Sequence, residues 1–168
     1  MRRAVFSKYS HPRSSSLEKI YLQFWQIAQF FLYNIPVQPL NGFRVLLLRA
    51  FGATVGRNVI IRPGVRIYNP RKLVIENGVW VGERAWIYNF DFVFLKKNCV
   101  ISQETVLCTA SHDYSSEYFE TTCESITIGE GSWVCIRAIV LQGSFVAPRE
   151  IVSANSVKNK KNNEISIY

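Results

Sequence analysis

The sequence predicts a mainly β protein: a β-solenoid of stacked six-residue repeats behind an N-terminal helical segment. Three observations predict it. Beyond Gly52 the chain shows neither a helical period nor two-residue alternation, yet aliphatic residues recur every six positions. Val55, Ile61 and Ile67 fall in line. Ile75, Val81 and Ile87 follow after two extra residues within 69–72, and Leu95, Ile101 and Leu107 after two more near Asp91. Ile128, Val134, Val140, Val146 and Val152 resume the step after a longer break. A second column, two residues earlier, is small or β-branched: Val59, Val65, Val79, Ala85, Cys99, Thr105, Ser132, Ala138, Ser144 and Ser156. Third, Gly56, Gly82 and Gly129 directly follow aliphatic positions, where backbone must turn or pack closely. A six-residue unit is one short strand and a turn. It cannot bury its aliphatic residue alone, whereas stacked coils bury a continuous column.

The elements follow in order. Residues 1–16 carry Arg2, Arg3, Lys8 and Arg13 with Pro12 and read as a flexible basic arm. Residues 17–52 form the helical segment. Ser16 is expected to cap a helix starting at Leu17, which ends before Pro36 because a residue preceding proline avoids the helical region. The dense apolar stretch Ile20–Ile35 is shorter than the ~20 residues a membrane span needs. Gln23, Gln26 and Gln29 give it one polar face, so it reads as an amphipathic helix. No small-x-small cleavage site follows, which argues against a signal peptide. A second short helix is expected around Asn41–Phe51, stopped by Gly52. The solenoid occupies 53–157, with its register broken at 111–125, and 158–168 form a tail.

At 168 residues, one domain with a real core is expected. A hydrophobic share of 48% against 19% charged excludes wholesale disorder. The net charge of +8 is unevenly placed. Residues 1–72 hold 12 of the 20 Lys/Arg and a single acid, Glu18, while 104–130 hold six acids and no base. A basic first half suits an anionic partner. Nucleic acid is disfavoured, because the basic residues are interspersed with repeat positions and no recognition motif appears. Cys99, Cys108, Cys123 and Cys135 form no CxxC pair and read as reduced cytosolic thiols, with no metal spacing.

His112 is the histidine that lies where the register breaks; the other, His11, lies in the arm. A loop histidine on a rigid scaffold is either a solvated side chain or a functional one. Cys108, four residues earlier, raises a Cys–His nucleophile as an alternative, although its place after Leu107 suits a turn.

Four stretches sharpen the reading: "LLLRAFGATVG" (46–56), "VWVGERAWIYNFD" (79–91), "CVISQETVLCTASHDY" (99–114) and "ITIGEGSWV" (126–134). They resemble the hexapeptide-repeat acyltransferases, and among these the colanic-acid-type O-acetyltransferases of bacterial surface-polysaccharide (O-antigen-like) biosynthesis. The resemblance implies a left-handed parallel β-helix, a homotrimer with active sites between subunits, and an acetyl-CoA donor without a metal. It implies a sugar or lipid-linked glycan acceptor, and His112 as general base in direct attack on the thioester. It also implies that Asn89 contacts the acceptor or the oxyanion, the alternative being a turn asparagine that stabilises its own backbone. Asp113 or Glu117 is expected to orient His112 or bind acceptor hydroxyls, with Asp91 and Tyr114 as further acceptor contacts. Trp133 is expected beside the acyl-CoA groove, with Arg137, Ala154, Lys158 and Lys160 as further cofactor-binding candidates. The chain departs from the family pattern at 142–158, "QGSFVAPREIVSANSVK", where several turn glycines are replaced, and at Ile136, which is bulky for a groove. That departure motivates the rival reading, a non-catalytic or decayed scaffold. A hexapeptide-repeat carbonic anhydrase is excluded, since its zinc needs three histidines. A cytoplasmic enzyme in peripheral contact with an anionic inner-membrane face accommodates the basic first half.

Overall fold

The computed structural model describes residues 15–33, 40–160 and 166–167. The basic arm with His11, the segment around Pro36 and most of the tail lie outside the described residues.

Two helices precede the strands: α1 (Ser16–Tyr33) and α2 (Asn41–Ala50). The cap of α1 is Ser15, one residue earlier than expected; its hydroxyl accepts the Glu18 N–H at 3.1 Å. Gly52 stops α2 with φ +87°, a conformation that glycine adopts without a Cβ clash.

The rest is a parallel β-solenoid of five coils with three faces. The first face stacks β1 (Thr54–Val55), β4 (Leu73–Ile75), β7 (Val93–Leu95), β12 (Ile126–Ile128) and β15 (Phe145–Val146). The second stacks β2 (Ile60–Ile61), β5 (Trp80–Val81), β8 (Val100–Ile101), β13 (Trp133–Val134) and β16 (Ile151–Val152). The third stacks β3 (Arg66–Ile67), β6 (Trp86–Tyr88), β9 (Val106–Cys108), β14 (Ile139–Leu141) and β17 (Ser156–Lys158). The six-residue step is one face of a coil. Ile61, Val81, Ile101, Val134 and Val152 therefore pair in direct register up the second face. Thirteen of the fourteen repeat positions are buried, Val55 at the first coil being partly covered. Each buried aliphatic side chain contributes about 1.5–3 kcal/mol. The small column is buried throughout and follows a tight turn. Asn58, Arg84, Asn98, Glu104, Arg137 and Asn155 have positive φ immediately before it. The glycines after repeat positions serve close approach. A Cβ on Gly82 would lie 2.5 Å from the backbone nitrogen of Gln103 in the next coil.

The helices cover the open edge of the first coil. Gln29 Oε1 accepts the Ile67 N–H at 2.6 Å, and the Trp25 indole donates to the Ile67 carbonyl at 2.7 Å. Asn41 accepts from the Ile61 N–H at 2.8 Å and donates to the Val59 carbonyl at 3.0 Å. Strand groups that would otherwise template aggregation are thus satisfied by side chains. In consequence α1 presents a mixed face to the coil, Trp25 and Tyr21 packing on Phe51 beside the glutamines. Gln26 and Gln29 meet the coil, while Leu17, Ile20, Phe24 and Ile27 face outward. At the far end, β18 (Ser166–Ile167) pairs antiparallel with β17. The solenoid therefore runs one residue beyond the expected boundary, to Lys158.

Every departure from the six-residue step falls at one corner, between the third and first faces. The extra residues of coil one make a 3₁₀ turn at Pro70–Lys72, those of coil two lie around Asp91, and those of coil three form the long break.

Candidate active site

The break is an antiparallel hairpin, β10 (Ala110–His112) with β11 (Thr121–Cys123), in which His112 pairs with Thr121. It stands on the stacked corner turns. The Thr109 hydroxyl accepts the Asp91 N–H at 2.9 Å, and the Glu124 N–H closes the base on the Thr109 carbonyl at 3.1 Å. Gln142 joins Thr122 at 3.0 Å, and Lys160 joins Glu124 at 2.5 Å. A rigid scaffold thus holds the hairpin from below and from one side.

His112 is half-buried at the end of β10. Its Nδ1 lies 3.1 Å from the Phe119 carbonyl, and its ring stacks on the Phe119 ring with centroids 4.3 Å apart. A carbonyl only accepts, so Nδ1 carries the hydrogen, and the neutral form of the ring has its lone pair on Nε2. Phe119 itself has φ +50°, in the left-handed region that an aromatic residue rarely enters. Sequence reading missed Phe119 and Thr109. No repeat period runs through 111–125, and a backbone carbonyl leaves no residue-type signal.

Asp113 does not orient His112. Its carboxylate takes the Ser115 hydroxyl at 2.5 Å and the Ser115 N–H at 2.9 Å, the hydroxyl first among the bonds that hold its pKa below the usual value. Adjacency in the chain turns successive side chains to opposite faces of a strand. Tyr114 is exposed and Glu117 half-buried on the same hairpin. Asp91 sits at its base, with its carboxylate accepting the Phe92 N–H at 2.7 Å.

Asn89 is a structural residue, and the expected acceptor or oxyanion contact falls away. It is fully buried. Its amide donates to the carbonyls of Asn69 at 2.7 Å and Lys72 at 3.0 Å, and its oxygen accepts the Asn69 N–H at 3.0 Å. Both amide hydrogens are used, so none remains for an oxyanion.

The cofactor candidates divide. Trp133 is 48% exposed on the second face, its indole N–H donating to Ser102 at 2.7 Å. Arg137 and Ala154 lie in adjacent stacked turns at the corner between the second and third faces. There Arg137 meets Glu104, which also holds Arg84. Lys160 is exposed at the hairpin corner. Lys158 is 3% exposed, at the repeat position of the last coil, and pairs with Glu150 at 2.5 Å. An ammonium held inside the coil does not reach a solvent-borne phosphate, so Lys158 leaves the candidate set.

The thiols are held as protonated or hydrogen-bonded side chains where they are buried. Burial pushes Cys99 up to about 12 and raises Cys123 and Cys135 as well. The Cys108 thiol donates to the Ala110 carbonyl at 3.2 Å. Among the described residues, no three His, Cys, Asp or Glu side chains gather as a metal site.

Comparison with known proteins joins this fold to an activity. No protein-family model matches the chain. The crystal structure of a hexapeptide-repeat acetyltransferase from Vibrio cholerae O1 biovar eltor, solved with acetyl coenzyme A, superposes with a TM-score of 0.77 at 21% identity, covering 89% of this chain and 82% of that one. A maltose O-acetyltransferase from Clostridium difficile 630 superposes with a TM-score of 0.70 at 12% identity, covering 90% and 88%. At such identities the likeness concerns the fold: a hexapeptide-repeat solenoid. The particular family comes from sequence. Over 137 residues the chain is 36% identical to the colanic acid biosynthesis acetyltransferase WcaF of Escherichia coli K12, and equally to that of Shigella flexneri, covering 82% of this chain and 75% of each relative. The chain belongs to this family of acetyltransferases.

Proposed function

We propose that this chain is an acetyl-CoA-dependent O-acetyltransferase acting on a sugar hydroxyl of a bacterial surface polysaccharide or its lipid-linked precursor. The observation that carries this reading is the His112–Phe119 pair. A carbonyl that holds Nδ1–H presents Nε2 as the base, at the tip of a hairpin braced by the solenoid. His112 takes the acceptor hydroxyl proton at Nε2 as that oxygen attacks the thioester carbonyl, then returns it to the leaving thiolate. Acetyl-CoA would supply the activated acyl group. The residues present fit such a donor. Trp133 offers an exposed indole, the stacked turns at Arg137 and Ala154 offer backbone edges, and Arg137 and Lys160 offer exposed cations for its phosphates. Asp91 at the base of the hairpin, with Tyr114 and Glu117 on it, are the groups proposed to meet the acceptor.

The same geometry supports a homotrimer. The His112 hairpin leaves the corner between the third and first faces, whereas Trp133 and Arg137 lie on the second face and its far corner. A site containing both draws them from two copies of the chain. Among the described residues no helix is long and apolar enough to cross a membrane. A peripheral station at an anionic membrane face completes the reading for a lipid-linked acceptor.

Acetyl transfer to lipid-linked glycans and to free sugars tests it. His112→Ala is expected to lower kcat by roughly 10²–10⁴, the usual worth of a positioned base, with an unchanged circular dichroism spectrum. Equal rates in the variant overturn the role of His112. The rival reading, a non-catalytic scaffold, is favoured by one observation: Arg137 and Lys160 already hold carboxylates of their own chain. Calorimetry that finds no acetyl-CoA binding selects the rival.

A further inference from the structure

The orientation of α1 leaves an apolar stripe that no element among the described residues covers. Leu17 is 78% exposed, Phe24 64% and Ile27 57%, with Ile20 on the same arc. Positions 17, 20, 24 and 27 recur at three- and four-residue spacing and so form one line along the helix. On α2, Phe43 and Leu46 are likewise exposed on the side opposite buried Arg44, Val45 and Leu48. Both helices sit at the same end of the solenoid, against its first coil. The stripe cannot be rolled inward. The opposite face of α1 is bonded to Ile67 and Tyr68 through Trp25, Gln26 and Gln29.

We infer that this end of the molecule is a docking face for an anionic lipid bilayer, with α1 lying in the interface plane and its stripe entering the acyl boundary. Charge complementarity selects the occupant. Residues 1–72 carry 12 Lys/Arg against Glu18 alone. Lys19 is exposed beside the stripe, and Arg57 and Arg66 are exposed on the first coil. The fourteen residues that precede the described chain bring Arg2, Arg3, Lys8 and Arg13 to the start of α1 in sequence. A second copy docking through the same surface would set two strongly basic ends against each other. An anionic leaflet attracts both the cations and the apolar side chains. Outward Phe, Leu and Ile bounded by glutamine and lysine are the composition of an interfacial helix. The proposal extends the reading of a lipid-linked acceptor, and its primary readout is vesicle binding, with acetyl transfer measured only to separate its failure from that of the proposed reaction.

The test is flotation of the full chain with vesicles of phosphatidylglycerol and phosphatidylethanolamine, beside vesicles of phosphatidylcholine. The chain is expected to float with the anionic vesicles, and raising NaCl from 50 to 500 mM to weaken binding at least tenfold. Phe24→Glu with Ile27→Glu is expected to lower binding at least tenfold, and Phe24→Gln with Ile27→Gln to lower it in the same direction should the charged pair fail to fold. Neither pair touches the His112 hairpin, so acetylation of a free sugar should persist. Equal flotation of wild type and variants, equal binding to phosphatidylcholine, or no binding to anionic vesicles overturns the proposal. So does a light-scattering mass that falls in the variants, which would make the stripe a contact between copies. Loss of transfer with flotation intact would instead fault the proposed reaction.

Discussion

The imidazole of His112 lies flat on the ring of Phe119, with an interplanar angle of 7°, while the Phe119 carbonyl sits 3.1 Å from Nδ1. One residue thus sets both the plane and the tautomer of the proposed base, and does so from a left-handed backbone conformation. Phe119→Gly keeps the carbonyl and suits the positive φ, but removes the ring. A base free to rock out of plane spends less time aligned. A fall in kcat of about tenfold is expected, equivalent to ~1.4 kcal/mol. Steady-state kinetics beside thermal melting checks this; a kcat at the wild-type level would assign the orientation to the carbonyl alone.

Asp113 gives the opposite expectation. Its carboxylate serves Ser115, so Asp113→Asn should leave kcat within about threefold of wild type, well short of the 10²-fold loss of a catalytic group. Its pH dependence has a definite sign. Hydrogen bonds to the Ser115 hydroxyl and backbone N–H hold the folded pKa below the ordinary value near 4. The carboxylate therefore steadies the hairpin at every pH above that value, and the contribution fades as pH falls through the depressed one. Hydrogen exchange of residues 113–120 should be flat from pH 5 to 8 after correction for intrinsic rates, and Asp113→Asn should remove any loosening specific to acid.

Asn89 is expected to matter for folding. Asn89→Leu leaves the Asn69 N–H and the Lys72 carbonyl without their partner inside the corner turn, and the Asn69 carbonyl with the Lys72 N–H alone. An unsatisfied buried group costs about 1–3 kcal/mol, so a loss of roughly 3 kcal/mol is expected in urea unfolding. Folded variant assayed below its midpoint should retain the wild-type KM for acceptor. A raised KM in fully folded protein would restore a binding role.

Residue by residue, what the sequence exposed and what it hid have physical causes. The repeat at Val55 through Val152 was legible because every coil repeats one requirement, an aliphatic side chain at the same step, and thirteen of those positions are buried. The hairpin was legible only as an interruption, and His112 only as the histidine within it. Asn89 was not decidable, since a buried turn amide and an acceptor-binding amide carry the same letter. The facing of α1 was hidden for another reason. Period alone finds a polar face, and here part of that face is needed by the open edge of β3, so Gln29 turns inward where an apolar residue is the rule. Lys158 occupies an aliphatic step position. Only the placement of Glu150, eight residues earlier, shows why a lysine is tolerated there.

That pair yields an asymmetric prediction. Glu150→Gln leaves the Lys158 ammonium inside the last coil without its counter-charge. Because Glu150 is partly exposed, the lower end of the usual range applies, a loss of about 2–3 kcal/mol. Lys158→Met supplies the apolar residue that the repeat calls for, and should fall within ~1 kcal/mol of wild type. The double variant should recover most of the loss from Glu150→Gln. Urea titrations of the four proteins read the cycle directly; additive losses would show that the two groups do not interact.

The site proposed to form between two copies makes the last prediction. His112→Ala and Trp133→Ala should each be nearly inactive alone. Co-expressed in equal amounts, they form mixed trimers in which some interfaces join an intact hairpin to an intact second face. With random assembly, each interface has one chance in two of receiving the right copy on either side. About a quarter of wild-type activity should therefore return over the whole population of closed cyclic trimers, and about a third in the trimers that contain both variants, where one interface in three is intact. If His112 and Trp133 instead served the same site within one chain, every mixed trimer would contain only crippled sites. Co-expression would then leave activity at the level of the single variants. Activity measured on co-purified, doubly tagged protein separates these outcomes, because the tags select assemblies that contain both variants.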